Sequence, residues 1–180
     1  MVIQAVNAGA RRPDALLHTA GRLLEQGRQA QAVAVLKSSL RNLRTVAPGL
    51  AGEMAGLLDS RGLSGEALEL LLQTDPNRRN QEERLHLADL LRRHERYSEA
   101  LDEYDAILRE DPANAEASLR KVETLAWKGD LHTALPLARD LVRVQPENRS
   151  ARLLLARILS WDGRVEEAEA EYKRLLGEQQ

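Results

Sequence analysis

Three consecutive stretches of this chain are one pattern written at a 34-residue offset, and that periodicity constrains the fold more than any other feature. The stretches begin at Gln81, Ala115 and Arg149 and align without gaps. Leu91, Leu125 and Leu159 share one position, and Ala88, Val122 and Ala156 another. Ala100, Ala134 and Ala168 form a third set, and Tyr104, Ala138 and Tyr172 a fourth. Pro112 and Pro146 close the first two stretches; Gly129 and Gly163 hold the middle turn, where the first stretch has Glu95. A fixed period of this length is the signature of a solenoid. Each unit is one supersecondary element that can bury its apolar face only against its neighbours.

Two upstream segments fit the same pattern with irregular lengths. Ala20, Gly27 and Ala32, then Ala55, Gly62 and Ala67, repeat the spacing of Ala156, Gly163 and Ala168. The segment from Pro48 is expected to have a shortened second helix, because Pro76 follows Ala67 by nine residues instead of twelve. The division is therefore 1–12 as an N-terminal extension or the end of a preceding repeat, 13–80 as two irregular repeats, and 81–180 as three regular ones. The unit boundaries fall at 13–47, 48–80, 81–114, 115–148 and 149–180.

Within a unit the apolar residues recur at three- and four-residue steps: Leu87, Leu90 and Leu91, then Ala100, Leu101, Tyr104 and Leu108. That step is helical. Gly or a polar pair ends the first helix, and a residue forced out of helix by a following proline ends the second. Composition agrees. The chain holds 33 Leu and 25 Ala against 12 Val plus Ile, with no Phe. Small residues are required where helix axes cross closely, and Leu and Ala favour helix over sheet. The fold expected is all-α.

The 34-residue period, the small residues at the eighth and twentieth positions, the Gly at the middle turn, the Tyr in the second helix and the closing Pro resemble the tetratricopeptide repeat family, over roughly residues 13–180. The fourth position departs from the family pattern, being Arg84, Ser118 and Arg152 instead of aromatic. The resemblance implies a right-handed superhelical solenoid of helix-turn-helix repeats, whose concave groove is lined by the first helix of each unit. It implies a fold that binds peptides or proteins and is not usually catalytic. Chaperone-binding members of the family hold a peptide's terminal carboxylate with Lys, Asn and Arg. Here Leu17, Gly21, Glu53, Glu82 and His86 stand at those positions, so that chemistry is rejected for this register.

The remaining chemistry is sparse. A chain without Cys has no disulfide framework, thiolate zinc site or cysteine nucleophile. A net charge of −2 and a pI near 6.1 argue against a dedicated nucleic-acid binder. Residues 1–48 carry a charge of +5, read as a solvated face in preference to a site for an acidic partner. No run approaches the ~18 apolar residues of a membrane span, and the opening residues lack the apolar core of a signal peptide. His18, His86, His94 and His132 show no metal-ligand spacing, so no metal or cofactor is expected. Glu166, Glu167, Glu169 and Glu171 are read as a solvated helix face, Arg78 and Arg79 as a solvated loop, and Asn148-Arg149-Ser150 as a chance glycosylation triplet. No nucleophile–base pair is visible, and the chain is not expected to be an enzyme.

Trp127 and Trp161 lie 34 residues apart, at the same place near the end of the first helix. They are expected to pack over the turn into the next unit. The alternative is an aromatic ledge for a partner or for sugar rings, with Arg93 as the preceding rung. Trp127, Trp161, Arg93, Arg120 and Arg157 are the candidate partner-binding residues. Tyr104 and Tyr172 are expected to fill the core with a wet hydroxyl.

A second, narrower resemblance covers about two units. AWKGDLHTAL and LSWDGRVEEAEAEYKRLL are similar to the repeats of Gram-negative exopolysaccharide export proteins of the Pel, cellulose and poly-N-acetylglucosamine systems. That resemblance implies a periplasmic scaffold, part of a larger outer-membrane export protein, that docks a polysaccharide-modifying enzyme or guides the polymer. A cytoplasmic adaptor for assembly or signalling is the alternative. The last second helix is expected to leave an apolar flank uncovered, so a neighbouring repeat or domain is expected in the natural chain.

Overall fold

The computed structural model describes residues 13–42 and 49–177, with the side chains of 15–38 and 49–177. The extension assigned to 1–12, the segment 43–48 and residues 178–180 lie outside them. Ten α-helices and one 3₁₀ turn make up the described residues, and no strand occurs among them.

The chain divides into two compact units, one up to His94 and one from Glu95. The first holds α1 (Pro13–Glu25), α2 (Gln29–Asn42), α3 (Leu50–Asp59), α4 (Ser64–Leu72), a 3₁₀ turn (Pro76–Arg78) and α5 (Gln81–Arg93). The second holds α6 (Tyr97–Glu110), α7 (Ala115–Trp127), α8 (Leu131–Val144), α9 (Arg149–Trp161) and α10 (Val165–Leu176).

In both units successive helices pack as antiparallel pairs, and alternate helices also touch. α1 meets α3, α3 meets α5, and α7 meets α9. This second set of contacts puts first helices side by side on one face. The crossings are made by the small residues that the period selects. Ala20, Ala55, Ala88, Ala100, Ala134 and Ala156 are fully buried, and Ala168 nearly so. A side chain as large as Leu at these points would force the axes apart or leave its rotamer, costing about 1–3 kcal/mol. In the second unit Leu125, Leu154, Leu155, Ile158 and Leu159 fill the space around these alanines.

Helix ends follow the local chemistry. Asn80, Asn114 and Asn148 each stand just before a first helix, and each side chain accepts a backbone N–H three residues on. At α5 the cap is reciprocal, since Glu83 accepts from the Asn80 N–H. Glu83 is buried and also accepts the Gly52 N–H of α3 at 3.1 Å, tying two first helices together. α4 is the shortest helix, nine residues against fourteen in α6 and α8, as the early Pro76 requires. Its truncated end is closed by Arg79. That guanidinium is buried, donates to the Leu71 and Thr74 carbonyls at 3.1 Å each, and donates to the Thr74 hydroxyl at 2.9 Å. The solvated-loop reading of Arg79 is therefore corrected: a shortened helix leaves orphan carbonyls, and this side chain satisfies them.

Two further expectations change. Tyr104 is fully buried, so its hydroxyl is not wet. Tyr172, in the same register, is 36% exposed, as are Val165 and Leu176 of α10 to a greater degree. The reason is positional. A further helix packs on each of the earlier second helices of this unit, α7 on α6 and α9 on α8, whereas no described helix follows α10. Glu171 also leaves the solvated set: it is buried, with Arg152 at 2.9 Å and Arg174 against its other oxygen.

Candidate protein-binding groove

The groove of interest is built by α7 and α9. Asn114 and Asn148 fix where these helices start, and Gly129 and Gly163, both at positive φ, fix where they turn. Both helices are 13 residues long and end on Trp127 and Trp161. Between them runs a cleft of about 460 Å³. Glu116, Leu119, Arg120 and Glu123 line it from α7, and Ser150, Leu153, Leu154 and Arg157 from α9. Leu154 forms a buried floor, while Leu153 is 44% exposed on the wall.

The two tryptophans are half exposed, Trp127 at 52% and Trp161 at 47%. Packing over the turn accounts for only part of each ring. Their surroundings differ because the residue one helical turn earlier differs. Below Trp161 stands Arg157, whose guanidinium carbon lies 4.9 Å from the indole centroid, within cation–π range. Below Trp127 stands Glu123, which cannot make that contact.

Arg120 and Arg157, two of the sequence candidates, come together in this cleft. On the α7 wall Arg120 sits between Glu116 at 3.8 Å and Glu123 at 3.9 Å. Arg93 does not join them. It lies in the first compact unit, where it donates to Asp59 at 2.6 Å. Asp59 also faces His86 at 3.4 Å. Burial pushes the Asp59 carboxyl up, but the hydrogen bonds and charges of Arg93 and His86 outweigh it and hold the group below its ordinary value. Sequence reasoning missed Asp59 and Glu83. Asp59 stands in no recognisable motif, and although Asn80 and Glu83 have capping-box spacing, only the approach of α5 to α3 brings Asp59 to Arg93 and Glu83 to the Gly52 N–H. The Asn80, Asn114 and Asn148 caps were findable, since they recur at the same 34-residue step.

Paired helices, crossing alanines and a groove between first helices define a helical repeat protein. Two tetratricopeptide repeat models match the chain, over residues 85–131 and 128–180, so it is a tetratricopeptide repeat protein. No curated protein sequence matches it. Among solved structures, it is similar to a tetratricopeptide repeat protein from Parabacteroides merdae, with 20% identity and a TM-score of 0.73. That match covers 92% of this chain and 66% of the other, so this chain spans just under two thirds of that relative. YrrB, described as a TPR protein with an unusual peptide-binding site, matches at 16% identity and a TM-score of 0.68, over 99% of this chain and 92% of its own. A double mutant of MamA from RS-1 matches at 18% identity and a TM-score of 0.69, over 92% and 93%. At these identities the structures show the shared fold. Tetratricopeptide repeats generally mediate protein–protein interaction and are typically non-catalytic scaffolds.

Proposed function

We propose that this chain is a non-catalytic docking scaffold whose partner, a protein segment, lies in the α7–α9 groove. The observation that carries the reading is the cleft itself: an exposed Leu153 above a Leu154 floor, beside an arginine stacked on a half-exposed tryptophan. An exposed aliphatic wall next to an aromatic–Arg pair is the composition of an interface centre. The peptide-binding site named for YrrB supports the same use of the fold. The finer reading is a periplasmic segment of a bacterial exopolysaccharide export protein that docks a polysaccharide-modifying enzyme. It rests on the repeat wording around Trp127 and Trp161.

A photo-crosslinking amino acid at Leu153, compared with one at Asp102 on α6, tests the groove in cells that express the protein. One protein captured from Leu153 alone, and lost with Arg157→Glu, supports the reading; equal capture at both sites sinks it. Cell fractionation tests the compartment, and recovery of the native protein in the cytoplasmic fraction overturns the export reading.

The half exposure of both indoles favours a second reading, in which Trp127 and Trp161 stack sugar rings of a polysaccharide. Replacing both with Ala should abolish retention on an immobilised β-1,6-linked N-acetylglucosamine polymer while helicity is kept. Unchanged retention excludes it.

A further inference from the structure

The α7–α9 groove has two chemically different walls. The α7 wall is internally balanced to within one charge, because Glu116 and Glu123 share Arg120 on the same helix. The α9 wall carries Arg157. Most arginines of the second unit are held by carboxylates: Arg96 by Glu99, Arg139 and Arg164 by Glu167, Arg143 by Asp140, and Arg152 and Arg174 by Glu171. Among the described residues Arg157 has no carboxylate partner; its one contact of this kind is the face of Trp161.

That contact leaves the chemistry of Arg157 open. The guanidinium lies over the Trp161 ring and makes no hydrogen bond or ion pair with the described residues, so its N–H donors stay open to a ligand. Those donors match the two oxygens of a carboxylate. The contact with Trp161 also restrains the side chain beforehand, so less rotamer freedom is lost on binding. Beside it, Leu153 offers exposed aliphatic surface and Leu154 a floor.

We infer that the groove recognises a peptide segment in which one acidic residue stands next to an aliphatic residue, the carboxylate taken by Arg157 and the aliphatic side chain by Leu153 and Leu154. The inference rests on the groove reading above and names the chemistry of its occupant. The α7 wall sets the limit. Glu116 and Glu123 repel a second negative charge, so neither an acidic tract nor a phosphorylated residue, at about −1.5 to −2 charge, gains over a single carboxylate.

The test pans a random dodecapeptide phage library against the immobilised full chain, and against Arg157→Gln and Leu153→Glu variants checked for unchanged helicity. Selected peptides are then measured by fluorescence anisotropy as synthetic peptides, with their Glu→Gln and Glu→phosphoserine counterparts. The wild-type chain should enrich peptides with a single Asp or Glu beside Leu, Ile or Val. The Glu form should bind at least roughly tenfold more tightly than the Gln form, as expected for a charge-assisted hydrogen bond. Arg157→Gln should erase that preference while retaining weak binding, and Leu153→Glu should abolish binding. Enrichment of groove-binding peptides without an acidic preference, or a preference that survives in Arg157→Gln, overturns this inference and leaves the groove reading standing. No enrichment over blank beads, or peptides that bind Leu153→Glu equally well, overturns both.

Discussion

Glu95 occupies the middle-turn position that glycine holds elsewhere, and its φ is 59°, in the left-handed region. In the same register Gly129 stands at 87° and Gly163 at 77°. A left-handed conformation costs an L-residue roughly 1–2 kcal/mol. Glycine escapes that cost but loses roughly 0.5–1 kcal/mol more conformational freedom on folding. Glu95→Gly should therefore stabilise the chain by up to about 1 kcal/mol. The exposed Glu95 side chain makes no packing contribution that the change would forfeit. Gly129→Ala is the reciprocal change. A Cβ there meets nothing within 4 Å, so its effect is conformational alone. At 87° it lies further from the ideal left-handed value than Glu95 does, so the loss should exceed the gain at Glu95. Thermal unfolding followed by circular dichroism at 222 nm reads both. About 1 kcal/mol corresponds to a midpoint change of roughly 2–4 °C in a chain of this size. A lower midpoint for Glu95→Gly, or an unchanged one for Gly129→Ala, would refute the assignment of that turn's cost to backbone conformation.

Glu83→Ala should lower stability by about 1–3 kcal/mol in urea unfolding, because it strands the Gly52 and Asn80 N–H groups; a change below a few tenths would contradict the latch between α3 and α5. Asp59 links stability to pH. Its carboxyl is held below its ordinary value, so its contribution is complete above about pH 4 and fades as pH falls through the folded value. The stability gap between wild type and Arg93→Ala, measured in urea at pH 7 and at pH 3, should shrink at pH 3; a gap that is constant or larger there rules out the Asp59–Arg93 pair as its source.

How much could be read in advance depends on whether a residue repeats. Ala88, Ala100, Ala134, Ala156 and Ala168 recur at fixed positions and are buried at the helix crossings, because every unit repeats the same crossing. Arg79 recurs nowhere, and Glu171 recurs only as Glu103, with Leu137 at that place in the unit between. Polar residues in helix and loop read as solvated, and only the arrival of Arg152 and the cut-off end of α4 explain their burial. Arg93 and Arg157 illustrate the same limit within the candidate site. Both are arginines near the end of a first helix. One is taken up by Asp59, whereas the other lies against Trp161 and keeps its donors free.

The sequence alone determined the period, the helix pairs and the small residues where axes cross, since a 34-residue repeat of amphipathic helices has one economical way to bury its apolar stripes. Tertiary structure decided which copy of a repeated position faces water. Tyr104 and Tyr172 are the same residue in the same register, yet one is fully buried on α6, against which α7 packs, and the other is open on α10. Burial belongs to the neighbour that packs on a residue, and a one-dimensional pattern does not contain that neighbour.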